Sequence, residues 1–385
     1  MRFSVDAHAI GRHLTGNEVY IRSLLERFSR IDDRAEFIAY VAASGLAARI
    51  PERVAKRRIS GNPFVRLGFD LSSKLREDRP DLLHVQYTAP LGCPVPFVVS
   101  VHDVSFLEHP EYFPFPRALQ LRLTVERTVR SAERILTGSE FSRQAIARAY
   151  CLEADRISVV PNAASSDFRP LPRSIAAPWL RERFQITAPY LLTVGDLQPR
   201  KNQIGLIRAY AEMIRAYPQL PHHLVLAGKE TWFSSRIRSA ATDSDVADRI
   251  HLVGFVTDDD LLRLYNGCDV FVFPSFYEGF GLPVLEAMAC GRAVACSNTS
   301  ALPEVADSAA LLFDPHSTAE MTRAMLDLVL DTDLRSRMER LGTQRASQFS
   351  WQKTAEKTLE VYYDVAYCRQ RARVENVSAA SVSRS

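Results

Sequence analysis

Two glutamates eight residues apart, Glu278 and Glu286, bracket the run Gly279-Phe-Gly-Leu-Pro-Val-Leu, a pattern suited to holding a polar, anionic ligand. The apolar run from Asp269 to Phe273 just ahead of it reads as a buried parallel strand. Pro283 suits the first position of a helix and Gly291 the position just past its end. Gly279 and Gly281 let the backbone come close to a ligand. A helix beginning near Leu282 turns unpaired N–H groups and the positive end of its dipole toward an anion, phosphate foremost. On this reading Glu278 closes the strand, Glu286 falls in the first helical turn, and both face one cleft. A glutamate in a first turn is also what the dipole favours without any function.

A second constellation is Tyr190-Leu-Leu-Thr-Val-Gly-Asp-Leu-Gln-Pro-Arg-Lys-Asn: an apolar strand, a glycine turn, then Arg200 and Lys201 before a helix. Arginine forks two N–H groups onto phosphate oxygens and lysine adds a mobile point charge, so the pair can neutralise charge on a departing diphosphate. An adjacent Arg-Lys pair is ordinarily solvated surface. Its place after a first strand changes that reading, because open α/β sheets bind ligands at the carboxyl ends of their strands.

These motifs resemble the donor site of glycosyltransferase family 4, retaining enzymes of the GT-B fold. That resemblance implies two Rossmann-like parallel-sheet domains facing across a cleft, with the C-terminal helix crossing back to the first domain. It also implies roles: Glu278 beside the donor sugar; Gly279, Phe280, Gly281 and Leu282 offering backbone to sugar and phosphate; Glu286 on the ribose hydroxyls; Arg200 and Lys201 on the diphosphate. His102, in Ser100-Val-His-Asp-Val-Ser-Phe, matches a histidine that contacts the donor sugar. Gly16, in the loop from His8 to Gly16, matches a phosphate- and acceptor-facing glycine. Phe255, Val256 and Thr257 match a nucleobase-contacting segment. The catalytic set is thus His102, Glu278, Arg200 and Lys201. One departure is Asp196, where some relatives carry an arginine after the glycine. An ordinary strand-to-helix loop explains 255–257 as well, and Thr15-Gly16-Asn17 also reads as a plain helix start.

The 385 residues suit two domains. Alternating apolar runs and helical patterns argue for parallel sheets with helices on both faces. The organisation expected is an acceptor-binding domain over 1–172, a nucleotide-sugar-binding domain over 173–350, a crossover helix over 351–368 and a disordered tail over 369–385. The proline-rich stretch 161–189 reads as the interdomain linker, unable to form a continuous helix. Net charge is +3, made of +6 through residue 186 and −3 after it. Basic residues gather in Arg53–Arg58 and recur at Arg117, Arg122, Arg127, Arg130 and Arg134. Such runs are ordinarily solvated faces; the alternative is peripheral contact of the first domain with an anionic membrane. Without interleaved aromatics they do not point to nucleic acid.

Six scattered cysteines form no CxxC pair, so they read as reduced thiols rather than a disulfide frame or a zinc site. No metal and no cofactor is expected, the nucleotide sugar being a substrate. With no signal-peptide core and no bilayer-length apolar run, the expected location is the cytoplasm or the inner membrane face. The expected activity is transfer of a sugar, mannose from GDP-mannose by resemblance, to a glycan or lipid-linked acceptor. The alternatives are a nucleotide-sugar epimerase of the same fold and a noncatalytic binding scaffold. A glycosidase needs both carboxylates at one bond, and a nicotinamide dehydrogenase needs a GxGxxG that is absent.

Overall fold

The computed structural model describes residues 1–11, 15–42 and 50–382, without the side chains of Thr15 and of 372–382. Residues 12–14 of the expected His8–Gly16 loop and 383–385 of the expected tail lie outside the described residues.

The chain divides into two compact units. The first holds Met1–Gly138, Ser142–Asn162 and the last helix from Trp351; the second holds Ser139–Phe141 and Ala163–Ser350. The boundary therefore falls at 162/163, ahead of the expected 172/173.

The sheet of the first unit is built from β1 Arg2–Asp6, β2 Glu36–Val41, β3 Val54–Arg58, β4 Leu82–Gln86, β5 Phe97–Ser100, β6 Arg134–Thr137 and β7 Ile157–Val159. Their order is β3-β2-β1-β4-β5-β6-β7 and every pairing is parallel. The second unit has β8 Tyr190–Val194, β9 His223–Ala227, β10 Ile250–Gly254, β11 Val270–Phe273, β12 Ala293–Ser297 and β13 Leu311–Phe313. Its order is β10-β9-β8-β11-β12-β13, again wholly parallel. Central strands such as Val270-Phe-Val-Phe are buried throughout, as a parallel sheet covered by helices on both faces requires.

Two strands have no counterpart in the sequence reading. β3 is the basic run itself: four of its five residues, Ala55 to Arg58, are exposed along a sheet edge, where lysine and arginine discourage pairing with other chains. β13 is three residues long and mostly exposed, too short for a period to register. Two helices also differ. Arg173–Phe184 is helical although Pro178 lies inside it: the proline removes one backbone bond, and burial of Ala176 and Leu180 holds the turn. The last helix runs Trp351–Val382, past the expected limit at 368, because 369–382 contains alanine, arginine and glutamate and neither glycine nor proline.

That last helix is tied into the first unit by a buried polar chain. The Tyr362 hydroxyl meets His84 Nδ1 at 2.5 Å, His84 Nε2 meets Ser100 Oγ at 2.7 Å, and Tyr20 meets the same Ser100 hydroxyl at 2.9 Å. Burial pushes the His84 imidazole down to about 3, so it stays neutral and bonds through both nitrogens.

Candidate functional site

The second sheet reverses its winding between β8 and β11: β9 and β10 extend one way from β8, β12 and β13 the other way from β11. Such a switch point leaves a crevice at the carboxyl ends of the two central strands. The turn after β8 carries Arg200 and Lys201 on a 3-10 turn, Pro199–Lys201, ended by Asn202 in the left-handed conformation. The loop after β11 carries Glu278 and leads into the helix Leu282–Ala289.

These two loops meet through charge. Lys201 Nζ donates to Glu278 Oε1 at 2.5 Å and Arg200 Nη1 lies 2.9 Å from Glu278 Oε2. Arg200 Nη1 also donates to the Tyr277 carbonyl, and the Phe276 N–H donates to the Arg200 carbonyl, so the loops are stitched by backbone as well. The side chains are nearly dry, 14% exposed for Arg200, 11% for Lys201 and 9% for Glu278. Burial alone would raise the Glu278 carboxyl; the Arg200 and Lys201 charges override it and bring it down to about 2. Burial lowers the Lys201 ammonium, and the Glu278 carboxylate opposes that shift. Lys201 also sits 4.8 Å from the centre of the Phe273 ring, which accepts a cation on its face.

Glu278 is held within the loop between Phe273 and Leu282 rather than at the strand end. Its N–H donates to Ser300 Oγ and its carbonyl accepts from Ala301. Ser139, which groups with the second unit, donates its hydroxyl to the Gly279 carbonyl. Gly281 caps the helix Leu282–Ala289 at φ 103°, and a Cβ there would stand 2.6 Å from Leu302 Cδ2. Gly281→Ala is therefore expected to cost about 1–3 kcal/mol and to lower Tm by roughly 3–8 °C in a calorimetric scan. Pro283 is the second helical residue, not the first, and Gly291 at φ 68° lies just past the end. Phe280 is buried against Phe349, so only its backbone is offered to a ligand.

Glu286 lies beyond the first turn, which contains no acid. The dipole argument for its presence therefore lapses. It is buried, and its Oε2 accepts from the Tyr265 hydroxyl at 2.9 Å. Burial pushes its carboxyl up to about 7, with the Tyr265 hydroxyl pulling the other way. Tyr265 and Ser300 are the residues that sequence reading missed here. Neither sits in a motif, and Tyr265 comes from the separate helix Asp258–Gly267.

Phe255 is half exposed after β10, Val256 is partly buried against the core and Thr257 is exposed. The Thr257 hydroxyl accepts from Asp260 N–H and its own N–H donates to Asp260 Oδ2, a reciprocal cap that starts the helix Asp258–Gly267.

The remaining two candidates belong to the first unit. Gly16 lies inside the helix Thr15–Ile31, not in the preceding loop, and among the described residues no atom stands within 4 Å of where its Cβ would be. His102 follows β5, its Nε2 3.0 Å from Gln86 Oε1 and its ring edge-on to Tyr20. Burial holds its imidazole down to about 4, so it is neutral at physiological pH and presents one donor and one acceptor. Asp103 accepts from the Ser105 N–H and hydroxyl, which fixes the turn.

Residues 14–168 match the family described as Glycosyltransferase Family 4, and residues 181–345 match Glycosyl transferases group 1. The chain is 36% identical over 265 residues to O-antigen chain mannosyltransferase B of Escherichia coli, covering 69% of each. It is 29% identical to the serotype-specific mannosyltransferase WbdA of E. coli, covering 74% of this chain and 36% of that longer protein. Among solved structures, sucrose-phosphate synthase from Thermosynechococcus elongatus superposes with a TM-score of 0.76 over 96% of this chain and all of the other. At 18% identity this last likeness concerns the fold alone.

Proposed function

Since the chain belongs to glycosyltransferase family 4 and has the GT-B fold, we propose that it transfers mannose, with retention of configuration, from GDP-mannose to a saccharide acceptor carried on a lipid in bacterial surface-polysaccharide assembly. The observation that carries the proposal is the dry cluster of Arg200, Lys201 and Glu278 at the switch point, beside the helix Leu282–Ala289 that bears Glu286.

In the proposed complex the diphosphate lies against Arg200, Lys201 and the first N–H groups of that helix. Glu286 accepts the ribose hydroxyls, and the backbone of Phe255 and Val256 meets the base. Glu278 orients the sugar. The bond between the sugar C1 and the β-phosphate oxygen breaks as the acceptor hydroxyl oxygen bonds to C1 from the same face. The acceptor proton passes to the leaving phosphate oxygen, giving a glycoside and a nucleoside diphosphate. Charge growing on that oxygen is met by two preplaced cations in a water-poor pocket.

The mannose reading is supported by the O-antigen and WbdA mannosyltransferase relatives. The test is incubation with GDP-mannose, UDP-glucose or ADP-glucose and a mannoside acceptor, followed by NMR of the product's anomeric centre. An α-mannoside is expected from GDP-mannose alone. A β-linked product would overturn retention, and a free isomerised nucleotide sugar would make the chain an epimerase.

A further inference from the structure

The first sheet has a switch point of its own. β2 and β3 extend one way from β1, and β5, β6 and β7 extend the other way from β4, so a crevice opens at the carboxyl ends of β1 and β4. His8 follows the end of β1 by two residues, Gln86 is the last residue of β4, and Tyr87 just after it is in the left-handed conformation at φ 58°. The Gln86 amide ties this end of the sheet together. Its Nε2 donates to the Asn17 carbonyl, and its Oε1 lies 3.0 Å from His102 Nε2.

His8 is held by the last residue of β1. Asp6 Oδ1 accepts from the His8 N–H at 3.2 Å and lies 3.0 Å from the ring at Nδ1. Burial alone would raise the Asp6 carboxyl; the His8 ring, the Arg66 guanidinium and the bonds from His8 bring it down to about 2, so it is ionised and can only accept. A neutral His8 ring therefore carries its hydrogen on Nδ1 and keeps a lone pair on Nε2. The side chain is 17% exposed, and Nε2 is neither enclosed nor bonded to any described residue. Arg66 completes the cluster, its Nε 3.6 Å from Asp6 Oδ2. It opens the π-helical turn Arg66–Asp70, a geometry frequent at functional sites. Its Nε and Nη1 are buried with no hydrogen-bond partner among the described residues, a cost that a cluster made for stability would not carry. Asp6 and Arg66 together have no net charge, so they add no pull on an anion. What the cluster presents to solvent is one hydrogen-bond acceptor of fixed tautomer.

We propose that His8 binds the acceptor: its Nε2 accepts a hydrogen bond from a hydroxyl of a neutral saccharide seated at the switch point of the first sheet. Asp6, backed by Arg66, is the positioning residue that fixes the ring and its tautomer. No proton is transferred in this contact. The inference rests on the saccharide-acceptor reading above and adds to it the residue that holds that acceptor and the charge class of the sugar held.

The test is saturation-transfer NMR of methyl α-mannoside with the full chain and no donor, beside steady-state transfer from GDP-mannose to the same sugar. The wild type is expected to bind the mannoside. His8→Asn keeps a side-chain N–H for Asp6 and loses the acceptor at Nε2, so the dissociation constant and the acceptor KM should rise about tenfold, with a smaller change in kcat. A His8 that only braces Asp6 would leave the asparagine variant at wild-type affinity, and that result overturns the proposal. His8→Gln, whose amide oxygen extends toward the place of Nε2, should recover part of the loss. Carbethoxylation of His8 in the wild type, followed by mass spectrometry, needs no variant to fold. It should slow at saturating methyl α-mannoside; absence of protection, or of mannoside binding, overturns the assignment. Mannose 6-phosphate should bind no tighter than the neutral sugar, and a phosphate-dependent gain that His8→Asn abolishes would make this an anion site and overturn the neutral class. Mannoside binding and protection without transfer would sink the transferase reading and leave this one standing, whereas transfer with His8 unprotected would do the reverse.

Discussion

Lys201→Ala is expected to lower kcat about a thousandfold while weakening nucleoside diphosphate binding no more than about tenfold. Removing one preplaced donor to a developing oxyanion costs about a hundred- to a thousandfold in turnover, and Lys201 is a full charge in a nearly dry pocket. Glu278→Gln makes the complementary case. It leaves both cations in place and removes their carboxylate, so diphosphate affinity should hold or rise while transfer falls. The same change should cost stability. With the Glu278 carboxyl near 2 when folded and 4.5 as its ordinary value, its contribution is fully present above about pH 4.5 and is lost as pH falls through 2. That shift is worth on the order of 3 kcal/mol at neutral pH. Steady-state kinetics beside calorimetric titration separates the two effects; full turnover in either variant would remove these residues from the chemistry.

Glu286 gives the second large effect, and its sign is opposite for binding and for stability. Ribose hydroxyls donate best to a carboxylate, while the free protein holds this group half protonated near pH 7. Donor affinity should therefore fall about tenfold for each pH unit below 7 and level off above it. Glu286→Gln should flatten that profile and weaken donor binding roughly ten- to a hundredfold at pH 8. Stability runs the other way. A carboxyl raised from 4.5 to about 7 contributes stability that is fully present below pH 4.5 and lost as pH rises through 7. Glu286→Gln should thus melt higher than the wild type at pH 8 while binding donor less well. A merely structural Glu286–Tyr265 contact would leave the donor profile flat in both proteins.

The motifs around Glu278 and around Arg200 were legible because each lies on one strand-loop-helix unit, where residue order and spatial order coincide. The central strands were legible for the same reason, their apolar runs being read locally. Strand order was not: the switch point that brings the turn after β8 against the loop after β11 follows from pairings of residues far apart in sequence. The salt links of Glu278 depend on that pairing, as does the Tyr265 hydroxyl on Glu286, which crosses from one helix to another. Placing Glu286 in a first turn failed although the helix does begin at Leu282, because from that start Glu286 already lies past the first turn; its carboxyl is held by tertiary packing, with the Tyr265 hydroxyl as its partner. The basic run at 53–58 is exposed, as a solvated face is, but the strand it forms was not legible: four of the five residues of β3 face solvent on a sheet edge, leaving no apolar period to read.

Equilibrium binding of GDP-mannose, with Glu286→Gln and Lys201→Ala measured beside the wild type across pH 6 to 8, tests the central claim most directly. The proposed site predicts saturable binding by the wild type that strengthens with pH, a flat and weaker profile for Glu286→Gln, and a modest loss for Lys201→Ala. Binding that neither substitution alters, or no binding at all, would contradict a GDP-mannose site built from these residues.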